Sequence, residues 1–178
     1  FYPEAEVTAH LIGGTGLDGR GQEGFEKAMD EALSGVAGER HVVRDAKGHN
    51  IDDIGTLKKQ QDGQNLTLSI DSKLQYIAYR ELSKAVEKHK AKAGAIVMLD
   101  AKTGEVLALA NVPTYNPNSN VGIDPNNRRN RVLTDTYEPG STMKPFAAAI
   151  AIQSGKFKPT TVVNVNGGSI RFGSAVIH

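Results

Sequence analysis

The chain contains no cysteine, which removes disulfides, thiolate metal sites and cysteine nucleophiles while leaving reducing and oxidising compartments equally open. It has no apolar run near the ~18 residues that a membrane span needs, and no charged-then-apolar leader opens it. It also lacks a dominant charge: 21 Lys and Arg against 20 Asp and Glu give a formal net charge of +1. Nucleic acid and anionic membrane surfaces are therefore not suggested as partners. The five histidines show no metal-ligand spacing, and neither a metal nor a cofactor is expected. What is present, 178 residues at 39% hydrophobic and 23% charged, suffices for one globular domain or one domain and part of another. The start at Phe1 without an initiator Met, and the stop at His178 on no obvious boundary, read as an excised piece whose anchor would lie outside it.

Residues 23 to 34 put Phe25, Ala28, Met29, Ala32 and Leu33 at helical spacing, ending at Gly35. HVVRDAKGHNIDDI reads as two short strands about a turn near Lys47-Gly48, and the polar GTLKKQQDGQ stretch, 55 to 64, as a boundary. NLTLSI, 65 to 70, alternates like a half-buried strand. Asp71-Ser72, with Gln75 three residues after Ser72, has a capping-box look and opens a helix to about His89. Its expected apolar stripe is Leu74, Ile77, Ala78, Leu82, Ala85 and Val86. GAIVMLDAKTGEVLALAN, 94 to 111, predicts a hairpin, and 112 to 131 a long loop. A last helix, from about Ser141 to Ser154, is apolar nearly all round and belongs in an interior. The order strand, helix, hairpin, loop, buried helix points to an α+β fold, an antiparallel sheet packed by helices.

The chemistry concentrates in YEPGSTMKPF, 137 to 146. A bare S-x-x-K is weak, and its bland reading is a serine N-cap beside an exposed lysine. Here Pro139-Gly140 presents Ser141 on a sharp turn, and Lys144 lies three residues on, at the start of an apolar helix. A serine hydroxyl becomes a competent nucleophile when a neighbour takes its proton, and an amine at this spacing reaches it without help from distant sequence. Lys144 would have to be uncharged, which desolvation or a nearby cation must bring about. The helix start could add backbone donors for a developing oxyanion.

TDTYEPGSTMKPF resembles the nucleophile region of class B penicillin-binding proteins, for which S-x-x-K is a signature. The resemblance runs on through AHLIGGTGLDGRGQEGFEKAMDEAL, VVRDAKG, LTLSIDSKLQ, AIVMLDAKTGEVLALANVPTYNPN and RRNRVLTD, in the order of the division-specific transpeptidases of Gram-negative bacteria. It implies residues 1 to 64 from the non-catalytic pedestal, a dimerisation-type module, and 65 to 178 from the start of a transpeptidase domain of the penicillin-binding/serine β-lactamase-like kind. It makes Ser141 the acylated nucleophile, Lys144 its general base and the Ser141 N–H one of two oxyanion donors. The implied substrate is a peptidoglycan stem peptide ending in D-Ala-D-Ala, cross-linked to a neighbouring stem during septal wall synthesis, with β-lactams trapping Ser141. Divisome membrane proteins would be partners, and the periplasmic side of the inner membrane the location.

Departures count as well. No S-x-N or K-T-G follows Ser141, so the chain carries the nucleophile half of a site. Lys102-Thr103-Gly104 precedes the nucleophile at a hairpin tip and is read as structural. Alternatives are a folded scaffold or interaction fragment without turnover, and a β-lactam sensor or serine β-lactamase, which would not carry the first sixty residues. Gly14-Thr15-Gly16-Leu17-Asp18-Gly19 spells G-x-G-x-x-G, but the helix after it begins too late to meet a pyrophosphate. Arg128, Arg129 and Arg131 are read as a solvated or salt-bridged loop rather than an anion patch.

Overall fold

The computed structural model describes residues 1–119 and 122–177. It comprises two compact units, Phe1–Asp135 and Thr136–His178. The fold is α+β, and every described strand pair is antiparallel, grouped in two-stranded sheets.

In the first unit, short helices α1 (Ala9–Ile12), α2 (Gly24–Ala28) and α3 (Asp30–Leu33) surround a small hairpin of β1 (Gly14–Thr15) and β2 (Gly21–Glu23). The single helix expected over 23 to 34 is thus broken at Met29, whose φ of −118° and ψ of 22° leave the helical range. Asp30 accounts for the break: its carboxylate accepts from the Gly21 N–H at 2.8 Å and from the Ser34 hydroxyl at 3.2 Å.

β3 (Glu39–Arg44) and β4 (Asn50–Lys58) form the expected hairpin, with Asp45 accepting from the Lys47 and His49 N–H groups across the turn and Gly48 at φ +85°. β4 runs further than expected, so the first part of the polar 55 to 64 stretch is strand. Residues 65 to 70 are not a paired strand: Leu68 and Ile70 are half-buried around an exposed Ser69, whose hydroxyl donates to the Val106 carbonyl at 2.8 Å. The alternation is kept at Leu68 and Ile70 but not at Leu66, which is exposed, and no ladder forms.

α4 (Ser72–His89) packs on the hairpin of β5 (Gly94–Leu99) and β6 (Val106–Val112). Asp71 is its N-cap, accepting from the Lys73 and Leu74 N–H groups at 2.9 Å each. Gln75 therefore serves no capping box. It is buried, donating to the carbonyls of Val7 (2.7 Å) and Leu109 (2.8 Å) and accepting from the Leu109 N–H (2.8 Å). An amide carries both a donor and an acceptor, so one side chain completes the ladder on the free edge of β6.

The core proper is Ala78 and Leu82 of α4 against Ala108 and Ala110 of β6. Alanines at the contact let helix and sheet approach closely. A Cβ at Gly94 would lie 2.8 Å from Leu82 Cδ1 and 2.9 Å from Val86 Cγ2, so a larger residue there would have to displace those side-chain ends. The stripe is narrower than expected, since Ile77 and Ala85 are exposed. A two-stranded hairpin covers only one face of α4.

The loop after β6 contains a 3-10 turn (Pro125–Arg128) and α5 (Arg131–Thr134), and it ties down the N-terminal segment. Asn118 exchanges hydrogen bonds with the Tyr2 backbone, at 2.8 Å each way, and Thr114 donates to the Glu6 carbonyl at 3.1 Å. The second unit holds a 3-10 turn (Gly140–Met143), α6 (Lys144–Gln153) and the hairpin of β7 (Ile170–Phe172) and β8 (Ala175–Ile177).

Candidate active site

Ser141 and Lys144 sit where the 3-10 turn passes into α6. Gly140 has φ +55°, a left-handed value that glycine reaches without a Cβ penalty, and it redirects the chain after Pro139. The Thr142 hydroxyl and N–H both point to the Pro139 carbonyl, fixing the turn. Lys144 donates its N–H to the Ser141 carbonyl, the three-residue register of a 3-10 turn. Residues three apart share one face of such a turn, so Ser141 and Lys144 lie on the same side of it. Pro145, in the first turn of α6, forfeits an N–H that has no intrahelical partner there.

Both side chains are exposed, and among the described residues no hydrogen bond joins the Ser141 hydroxyl to the Lys144 amine. α6 itself is not interior: Phe146 is 63% exposed, Ile150 66% and Ile152 50%. The expectation of a buried helix is thus corrected. Its apolar side chains lie on all faces, and of its residues only Ala151 is partly buried.

The other singled-out motifs resolve as structure. The Gly14–Gly19 loop turns back on itself, with the Gly16 N–H donating to the Arg20 carbonyl at 2.8 Å and the Gly19 N–H to the Gly16 carbonyl at 3.0 Å. These N–H groups are spent within the loop, and α2 starts only at Gly24. Lys102-Thr103-Gly104 forms the β5–β6 turn, where Asp100 accepts from the Lys102 and Thr103 N–H groups and Gly104 adopts φ +79°. These bonds hold the Asp100 carboxyl below the usual range. Arg129 and Arg131 both pair with Asp135, and Arg128 lies 3.6 Å from Glu23. No metal-ligand cluster occurs among the described residues.

One constellation escaped the sequence reading. His10 is buried, its Nε2 is 2.7 Å from the Asn127 carbonyl, and its ring meets Tyr115 edge to face at 5.5 Å. Burial pushes the His10 pKa down from its ordinary value, and because a carbonyl only accepts, Nε2–H is the donor to Asn127. Tyr115 is buried too and donates its phenol O–H to Glu23 at 2.9 Å, and burial first, then that carboxylate, raises its pKa. Nothing in the spacing of residues 10, 23 and 115 signals this meeting, because their separations in sequence are long.

Two family matches follow one another along the chain. Residues 1–68 match the Penicillin-binding Protein dimerisation domain, and residues 94–177 match the Penicillin binding protein transpeptidase domain. The chain belongs to the penicillin-binding proteins.

Within this family the chain is 46% identical over 178 residues to the probable peptidoglycan D,D-transpeptidase PbpC of Pseudomonas aeruginosa, covering 100% of the chain and 32% of that protein. It is 47% identical over 176 residues to the peptidoglycan D,D-transpeptidase FtsI of Escherichia coli K12, covering 96% of the chain and 30% of FtsI. The probable transpeptidase PenA of Neisseria gonorrhoeae is 48% identical over 157 residues, covering 87% of the chain and 27% of PenA. Among solved structures, penicillin binding protein 3 of Mycobacterium tuberculosis superposes with a TM-score of 0.80 at 32% identity, covering 100% of this chain and 36% of that one. The same protein complexed with aztreonam gives 0.79. The chain spans about a third of the length of these relatives.

Proposed function

We propose that this chain is the nucleophile-bearing portion of a peptidoglycan D,D-transpeptidase, with residues 1 to 64 from the pedestal and 65 to 178 opening the transpeptidase domain. What supports this reading is that Ser141 and Lys144 fall three apart on one 3-10-to-α junction, in a chain matching the dimerisation and transpeptidase families in order.

In this reading Ser141 Oγ attacks the carbonyl between the two D-alanines of a stem peptide, and its proton passes to uncharged Lys144 Nζ. The tetrahedral oxyanion is held by backbone N–H groups, that of Ser141 among them. As the C–N bond breaks, the proton goes to the departing D-Ala, leaving an ester on Ser141. An amine of a neighbouring stem then attacks the ester, forms the cross-link and returns the hydroxyl. β-Lactams acylate the same oxygen by opening their ring. Septal synthesis with divisome membrane proteins, on the periplasmic side of the inner membrane, completes the reading; among the described residues no helix is long and apolar enough to cross a membrane.

A second reading, a folded piece without turnover of its own, is favoured by the exposure of Ser141 and Lys144. The test is acylation kinetics with a fluorescent penicillin, on this chain and on the full-length protein. Arginine stays protonated and cannot accept the serine proton, so Lys144→Arg should slow acylation of the full-length protein roughly 10²–10⁴-fold. A Lys144→Arg protein acylated at the wild-type rate would refute the role of Lys144. Acylation confined to the longer protein would identify the isolated piece as the scaffold.

A further inference from the structure

A cavity of about 640 Å³ lies within the Phe1–Asp135 unit, lined only by residues between His10 and Leu133. Leu11, Phe25, Ala28, Leu68, Ile70 and Leu109 supply its apolar wall. Its volume falls in the range of small-molecule sites, about 300–1,000 Å³.

The polar groups on that wall are largely engaged with one another. His10 donates to Asn127, Tyr115 to Glu23, Asn130 to the His10 carbonyl at 3.3 Å and Ser69 to the Val106 carbonyl at 2.8 Å. An occupant therefore meets few open hydrogen-bonding groups and gains chiefly by burying apolar surface. Charge distinguishes the lining further. Lys27 has no acidic partner among the described residues, and Arg128 is held by a long 3.6 Å contact to Glu23, its guanidinium 5.2 Å from the Tyr115 ring centroid. Lys27 and Arg128 against Glu23 leave one positive charge in excess around an apolar space.

We propose that this cavity binds a small amphiphile with an apolar chain or ring system and a single anionic head, the apolar part between α2 and residues 68 to 70 and the head at Lys27. The site is independent of the Ser141 chemistry, so failure of either reading leaves the other standing.

Calorimetric titration of the protein with dodecanoate, dodecan-1-ol and dodecylamine tests it. Dodecanoate should bind once per chain, more tightly than the alcohol, and the amine most weakly. Lys27→Glu should weaken dodecanoate roughly tenfold and favour the amine. Ala28→Trp, which fills the cavity, should abolish dodecanoate binding, whereas Ile150→Asp on α6 should leave it unchanged. Equal affinity for the three ligands, or a loss caused by Ile150→Asp, would overturn the proposal. Should Ala28→Trp fail to fold, a doxyl-labelled fatty acid on the wild type decides. Paramagnetic broadening first at Phe25, Ala28 and Ser69 supports the site, and broadening confined to Phe146–Ile152 rejects it.

Discussion

α4 is amphipathic and α6 is apolar nearly throughout, yet it is α4 that reaches the core. α4 carries lysines, glutamates and a buried glutamine, yet Ala78 and Leu82 sit in the core against Ala108 and Ala110. α6, KPFAAAIAIQ, has no charge after its first residue and leaves Phe146 and Ile150 mostly exposed. The difference teaches that apolar content measures a demand for cover, whereas burial depends on a partner surface at the right distance. α4 has the hairpin β5–β6; the described residues of the Thr136–His178 unit offer α6 no comparable sheet.

Substitutions can break that comparison, and the largest effect should come from the core itself. Leu82→Ala removes a buried side chain packed under Gly94 and should cost about 2–5 kcal/mol by urea unfolding, while Ile150→Ala on exposed α6 should stay within about 0.5 kcal/mol. Equal losses at both sites would mean that α6 is covered in solution.

Next comes Gln75. Gln75→Leu strands the N–H and carbonyl of Leu109 and the carbonyl of Val7 in a dry setting, and a loss of roughly 2–3 kcal/mol is expected. Amide exchange at Leu109 should rise with it, and an unchanged rate would show that water already serves that edge. Asp71→Ala should cost about 1 kcal/mol and fray only the first turn of α4, an effect readable by exchange at Lys73 and Leu74.

The smallest expected effect is electrostatic. Burial lowers the His10 pKa in the folded chain below its ordinary 6.5. The unfolded state therefore takes up a proton first, so the contribution of neutral His10 is complete above about pH 6.5 and is lost as pH falls below it. The urea midpoint of the wild type should fall between about pH 7 and pH 5 by more than that of His10→Gln. Parallel curves would show that His10 does not titrate differently on folding.

Much of the architecture was legible locally. α4 and the β5–β6 hairpin follow from periodicity, a polar helix start and an Asp-Gly-bounded turn, all of them signals spanning a few residues, although the cap proved to be Asp71 and not a Ser72–Gln75 box. What escaped is non-local. The break at Met29 comes from Asp30 reaching Gly21 in another element, and the edge role of Gln75 needs β6 beside it. Residues 65 to 70 have the alternation of a strand, but pairing is a property of the neighbour. That Ser141 and Lys144 share one face of a turn could be read because three-residue spacing is a local rule. The cluster of His10, Glu23 and Tyr115 could not, since it is assembled by folding across some ninety intervening residues.

The most direct test of the central claim is mass spectrometry of the full-length protein after exposure to benzylpenicillin. A single penicilloyl adduct on the peptide carrying Ser141, absent from Ser141→Ala, is the predicted result. An adduct on any other residue, or one that persists in Ser141→Ala, would contradict it.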